Sequence, residues 1–484
     1  MKNDLNPGAA AQAEGVRRYA MLLDGELVDG ASSIPVVDPA TEEIIAHAPA
    51  ADASQLEQAV ASAKAAFDGW KNVAHAERVA LIHRIADAIE ARREEIARII
   101  TLEVGKPITA ARADVDLSLM WARQVAGVEL KPDVLQDDEQ AYVEVQYKPI
   151  GVVAAIIPWN FPFFQTVYKL VPALLTGNTV VVKPAPTSPL NAILLGEILH
   201  GILPPGVVNI VGDDGSLGPR LSSHPDVGKV SFTGSTAAGR QVMASGAPTL
   251  KRIVLELGGN DAAIVLDDAD VESAAKGIFT WAFMNSGQVC INIKRIYVPD
   301  ALYDRFCDAF AKLARSAVVG HGLDEKTEYG PIQNRRQYEA VLRSLDVARR
   351  DGTVIAGGEP AEGKGWFVPP TVVRDIDEAS PLVREETFGP IRSILRYSSI
   401  DDALRRANDT QYGLGGSVWG KDIERATRIA ARLESGTTWV NTHFALAPDI
   451  PFGGRKQSGL GVEFGLDGIH EFTDRHVIHV ARGA

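Results

Sequence analysis

With 484 residues, 46% of them hydrophobic and 23% charged, the chain is a globular protein too long for one ordinary core, and two domains plus a small appendage are expected. A formal net charge of −13 with no dense Lys/Arg run argues against a nucleic-acid binder, and clusters such as Arg92-Arg93 read as solvated helix faces. Two cysteines, Cys290 and Cys307, cannot build a disulfide framework or a cysteine-based metal site, and no run of about 18 apolar residues is present to span a membrane.

Residues 1–18 lack the apolar core of a secretion signal, and the stretch Gly8-Ala9-Ala10-Ala11 reads as part of a mobile tail. Apolar residues at helical spacing predict a helix over 56–70, started by Asp52 or Ser54, and a longer one over 76–104. The alternating run Tyr142-Val143-Glu144-Val145-Gln146-Tyr147 predicts a half-exposed strand, which fits an excursion used for assembly. Short apolar runs at 151–157, 179–182, 207–211, 229–232 and 253–257 follow, most separated by helix-like segments. That alternation predicts a parallel sheet covered on both faces. Ligands of such sheets bind at the carboxyl ends of the strands, so Pro158, Lys183 and Gly234 are expected near one crevice. A second α/β set is predicted from strands at 293–298, 353–356, 371–373 and 391–396 and a helix over 301–317, with a last strand at 476–480. The dinucleotide fingerprint G-x-G-x-x-G is absent, so the α/β pattern alone does not establish a dinucleotide site.

Three local patterns carry chemistry. Cys290, in Gly287-Gln288-Val289-Cys290, sits in a glycine-containing loop before a strand and is either a buried structural residue or an activated thiol. Glu256 stands in the apolar run Leu255-Glu256-Leu257-Gly258-Gly259. It is either paired with Lys251 or Arg252, or raised by burial toward the range of a general base. Asn160, in the turn Pro158-Trp159-Asn160-Phe161-Pro162, is either a turn former or a donor to an oxyanion.

These three motifs occur in order with Phe232-Thr233-Gly234-Ser235, Glu385-Glu386-Thr387-Phe388-Gly389-Pro390, Asn441 and Pro451-Phe452-Gly453-Gly454. Taken together, from about Asp38 to the C-terminus, the chain resembles the aldehyde dehydrogenase superfamily. The resemblance implies an NAD(P)-dependent enzyme that oxidises an aldehyde to the acid through a thiohemiacetal and thioester. Cys290 would be the nucleophile, Glu256 the base, and Asn160 with the Cys290 N–H the oxyanion hole. Cofactor contacts would come from Pro158, Trp159, Lys183 (adenosine ribose), Gly234 and Ser235 (pyrophosphate), Leu257, Glu386 (nicotinamide ribose) and Phe388. The implied α/β architecture has a doubly wound cofactor-binding domain (19–130 and 150–258), a second α/β catalytic domain (259–457) and a small β oligomerisation arm (131–149 and 474–484). A cytoplasmic homodimer or homotetramer is expected. The alternatives are a CoA-acylating enzyme, against which Glu256 speaks, and a non-catalytic protein on the same fold.

Phe161, Gln165, Tyr168, Met284, Val289, Ile291 and Leu446 would line an apolar aldehyde pocket, favouring aromatic or medium-chain aliphatic substrates over dicarboxylic semialdehydes. Asp474 falls where some members carry a second carboxylate; a surface charge beside Arg475 is the other reading. Two positions depart from the family pattern. Pro186 stands where relatives often have a Glu that binds the adenosine ribose, so no carboxylate at that position repels a 2′-phosphate. NAD is expected, with NADP open. Asn260 stands where many have Lys. Cys307, beside Phe306 in a helix, reads as packing.

Overall fold

The computed structural model describes residues 17–482. The tail expected over 1–18 therefore lies outside the described residues except for Arg17 and Arg18, and Arg17 is held by Glu95 and Glu197.

Five parallel strands form the middle of an eight-stranded sheet, in the order Arg252–Glu256, Val227–Thr233, Val152–Ile156, Thr179–Lys183, Val208–Ile210. Val152–Ile156, Thr179–Lys183 and Val208–Ile210 are buried at every position, which is why they read as unbroken apolar runs rather than alternating ones. Antiparallel edges, Gly459–Leu460 on one side and Met21–Leu23 with Glu26–Val28 on the other, close the sheet. These edge strands are two or three residues long, too short to carry a periodic signal in the sequence.

The helix Ala53–Trp70 starts at Asp52, whose carboxylate accepts the Gln55 N–H at 2.8 Å. The long helix expected over 76–104 is two helices, His75–Ala91 and Arg93–Val104. Arg92 breaks it at φ −113°, ψ 19° and pairs with Glu95, an interruption that no glycine or proline announces.

A seven-stranded sheet follows, in the order 353–356, 371–374, 391–397, 293–299, 261–265, 415–419, 437–440, parallel except for Thr353–Ala356. Ala262 and Ile264 point into one apolar cluster and Ala263 and Val265 into another, so the sheet is covered on both faces. Cys307 is fully buried in the second cluster. The alternating segment is the middle strand, Ala141–Pro149, of a separate antiparallel sheet between Asp133–Asp137 and Thr473–Ala481. Among the described residues, no helix is long and apolar enough to cross a membrane.

Candidate active site

The register of the first sheet brings the site together. Ile156 is level with Lys183 and with Phe232, and Thr233 with Glu256. The segments that leave these strand ends, 158–160, 234–235 and 257–258, therefore meet at one edge. There they face Cys290 and Glu386 of the second half of the chain across a cleft of about 320 Å³, the size of a small-molecule site. Pro158, Trp159, Asn160, Gly234, Ser235, Leu257, Glu386 and Phe388 all border it, as do Gln337 and Ala340 of the helix Arg335–Asp351.

Cys290 is presented by a strained loop. Asn285, Ser286 and Gly287 all have positive φ, and a Cβ on Gly287 would lie 2.1 Å from the Gly389 carbonyl oxygen, so only glycine fits there. Gln288 pins the loop: its amide nitrogen donates to the Asn285 (3.0 Å) and Pro331 (3.3 Å) carbonyls, and its amide oxygen accepts the Gln333 N–H at 2.9 Å. Lys294 donates to the carbonyls of Val289 (3.0 Å) and Cys290 (2.6 Å) and stands 3.5 Å from Glu386. Burial pushes the Cys290 thiol up to about 12; Lys294 opposes that rise, and the carboxylates of Glu386, Glu256 and Asp261 add to it. In this state the sulfur holds its proton and needs a base to become a nucleophile.

Glu256 ends its strand almost fully buried, and neither carboxylate oxygen has a hydrogen-bond partner among the described residues. It pairs with neither Lys251 nor Arg252. Lys251 donates to the Val227 carbonyl at 2.7 Å, and Arg252 holds Asp474 at 2.9 Å. Burial, reinforced by Glu463 and offset by Lys169, raises the Glu256 carboxyl well above the ordinary range. Glu256 does not border the cleft but lies one residue behind Leu257, which does.

Asp474, the candidate second carboxylate, lies apart from Glu256 and fits its other reading, a surface charge. That residue is exposed and bound to Arg252, at the opposite end of the strand from Glu256. Glu463 instead is buried, paired with Lys169, and acts on Glu256 through its charge. The sequence offered a faint signal for it, a carboxylate between Val462 and Phe464 in a glycine-rich stretch. Lys169, one position along the helix from Tyr168, is fully buried against Ser231 (3.0 Å) and Glu463.

Asn160 donates from its side-chain amide to the Gln288 carbonyl at 2.9 Å, which fixes the amide against the cysteine loop with its second N–H unassigned. Ser235, which borders the cleft, caps the helix Thr236–Gly246 by accepting the Ala238 N–H at 3.2 Å, so that helix starts at the cleft edge. Glu386 accepts the Gly259 N–H at 3.1 Å, and a Cβ on Gly258 would lie 2.2 Å from its Oε2. Trp159 and Phe388 meet edge to face at 5.3 Å, and Gln337 donates to the Phe388 carbonyl at 2.7 Å. Asn260 donates to the Val383 carbonyl at 2.8 Å and its own carbonyl accepts from Arg295; neither contact explains why Lys is replaced.

Lys183 does not border this cleft; it lies further along the strand edge, 2.6 Å from Asp213. Of the seven residues expected to line an aldehyde pocket, only Gln165 borders the cleft. Phe161, Tyr168, Val289 and Ile291 are buried in the core, with Met284 and Leu446 partly buried against it. Phe161 lies under the Lys106 ammonium, 3.2 Å from its ring centroid, and Tyr168 packs edge-on against Phe164 and Phe464. Periodicity missed Phe444 and Trp281, partly exposed rings stacked at 5.6 Å, because they come from segments far apart in the sequence.

The aldehyde dehydrogenase family model matches residues 27–478. This chain belongs to the aldehyde dehydrogenase family. It is 40% identical over 470 residues to a mitochondrial aldehyde dehydrogenase of Leishmania tarentolae, covering 95% of this chain and 94% of that protein. It is 38% identical to the phenylacetaldehyde dehydrogenase of Pseudomonas fluorescens over 481 residues, 96% of each. Among solved structures, the NAD+ complex of an aldehyde dehydrogenase from Bacillus cereus superposes with a TM-score of 0.94 at 35% identity, covering 96% of this chain and 97% of that one. Family membership makes the chain an NAD(P)-dependent enzyme of aldehyde oxidation.

Proposed function

We propose that the chain oxidises apolar aldehydes, aromatic or medium-chain aliphatic, to carboxylic acids with NAD(P)+ through a covalent thioester on Cys290. One observation carries this reading: a cleft-lining thiol feels the charge of a buried carboxyl, Glu256, that has no hydrogen-bond partner among the described residues.

The residues of the cleft fit a dinucleotide. The capped N-terminus of the helix 236–246 suits a pyrophosphate, and the Glu386 carboxylate suits a ribose diol. Bound there, the cofactor supplies a hydride acceptor. Everything else falls to the chain. Cys290 loses its proton to solvent water as its sulfur adds to the aldehyde carbon. The new oxyanion is held by the Asn160 amide and the Cys290 N–H; one such donor is worth roughly 3–4 kcal/mol in the transition state. Loss of hydride leaves an acyl thioester. Glu256, in its ionised form, then takes a proton from water as that water attacks and passes it to the departing sulfur, so the acid leaves with the thiol and the carboxylate restored.

Apolar specificity rests on charge as well as shape. The buried ammonium groups Lys106, Lys169 and Lys294 are already matched, by Asp114 at 2.6 Å, by Glu463, and by the Val289 and Cys290 carbonyls with Glu386 at 3.5 Å, so none is free to hold a second carboxylate of a substrate. The first sheet serves as the cofactor-binding domain, the second as the catalytic domain and the three-stranded sheet as an assembly arm. Val134, Leu135, Val477 and Val480 leave large apolar side chains exposed on that arm, which supports a homo-oligomer.

Absorbance of the reduced cofactor, followed with benzaldehyde, hexanal and succinic semialdehyde with and without CoA, tests the reading. It predicts turnover on the first two without CoA. Higher kcat/KM on succinic semialdehyde overturns the substrate class, and a requirement for CoA overturns thioester hydrolysis.

A further inference from the structure

Pro186 removes the side-chain acceptor expected beside the adenosine ribose, yet the structure provides carboxylates from the adjacent strand end. Val182 pairs with Ile210, so the loop after Val208–Ile210 runs alongside Lys183. There Asp213, fully buried, accepts from Lys183 Nζ at 2.6 Å through one oxygen and from the Leu217 N–H at 2.8 Å through the other. Lys183 Nζ also donates to the Pro184 carbonyl at 3.2 Å. Asp214, next in sequence and exposed, is fixed by the Ser216 N–H at 3.0 Å and lies near enough for Lys183 to act on its charge. Gly215, at φ +100°, and Gly218 fold the loop back toward Pro186 and Lys183: a Cβ on either would sit 3.6 Å from the Pro186 Cγ and the Lys183 Cε respectively. Arg220, the next cation along, is committed to Glu57 at 3.0 Å.

We propose that Asp213 and Asp214 make this enzyme select NAD over NADP, by neutralising Lys183 and leaving the ribose end of the crevice net negative. This rests on the reading that Lys183 faces the adenosine ribose. A lysine matched by one carboxylate and flanked by a second still has a donor for a neutral hydroxyl. It offers no net attraction to a 2′-phosphate, whose added charge meets two carboxylates instead. Asp213 is thus a positioning residue that acts through Lys183, and Asp214 adds a screening charge at the mouth.

The test is equilibrium binding by Trp fluorescence or calorimetry, with NAD+ and NADP+ titrated into the full-length protein at low salt without aldehyde. The wild type is expected to bind NAD+ at least tenfold tighter. Asp213→Asn should cut that ratio about tenfold, chiefly by tightening NADP+. The surface change Asp214→Asn, which leaves the core untouched, should cut it about threefold. Equal wild-type affinities, or variants that weaken both dinucleotides alike and leave the ratio fixed, overturn the proposal alone. Binding of neither dinucleotide to the wild type overturns the cofactor reading and the proposal with it.

Discussion

At the scale of single residues, the site couples a thiol that keeps its proton to a carboxyl that resists losing its own. With the Cys290 thiol at about 12, the thiolate fraction of the cofactor-free protein grows about tenfold for each pH unit across the neutral range. Alkylation by iodoacetamide should therefore accelerate by about that factor per unit from pH 6 to 10. A plateau below pH 9 would mean that Lys294 outweighs burial. The buried Cys307 should stay unlabelled in peptide maps. Glu256→Gln should lower steady-state turnover by about 10²–10⁴-fold, while one equivalent of reduced cofactor still forms in a burst. Normal turnover in that variant would remove Glu256 from the base role. Cys290, Glu256 and Asn160 were legible because each lies in a short motif whose neighbours force its setting: prolines around the turn, glycines after the carboxylate, glycine before the cysteine. Glu463 and Lys294 were not, because their roles arise from burial beside residues distant in sequence or on another element. Asp474 stayed open because its local match says nothing of which end of the neighbouring strand it joins.

At the scale of elements, the two conformational commitments that hold the site are a turn and a buried pair. Gly287 combines φ +75° with a backbone carbonyl where a Cβ would go. Gly287→Ala should cost more than about 1 kcal/mol of stability, read as a lower denaturant midpoint, and should reduce activity by misplacing Cys290. An unchanged midpoint with full activity would show that the loop tolerates another path. Lys169→Met strands Glu463 as a buried charge with no ammonium and should cost about 3–5 kcal/mol. The double change Lys169→Met with Glu463→Gln should recover a good part of that loss. No recovery would mean that Lys169 acts through packing rather than charge. The central strands were legible because strands buried on both faces are apolar throughout. The break at Arg92 was not, since it is set by ion pairs with Glu95 and Glu197 rather than by a helix-breaking residue.

At the scale of the whole molecule, two covered sheets meet along a cleft, and a third small sheet stands apart with apolar side chains toward solvent. The sequence announced the α/β alternation and the arm strand. Only the family resemblance put the last strand, about 330 residues later, with that arm; periodicity could not, because pairing partners leave no local trace. Val477→Asp with Val480→Asp should shift the protein to a monomer in light scattering; an unchanged mass would move the interface off the arm. The chemistry itself is tested most directly by acid-quenching Glu256→Gln within one turnover of NAD+ and benzaldehyde, then weighing its peptides. The account predicts a benzoyl group on the Cys290 peptide, stoichiometric with the reduced cofactor formed. Reduced cofactor without that adduct, or an adduct on any other residue, would contradict it.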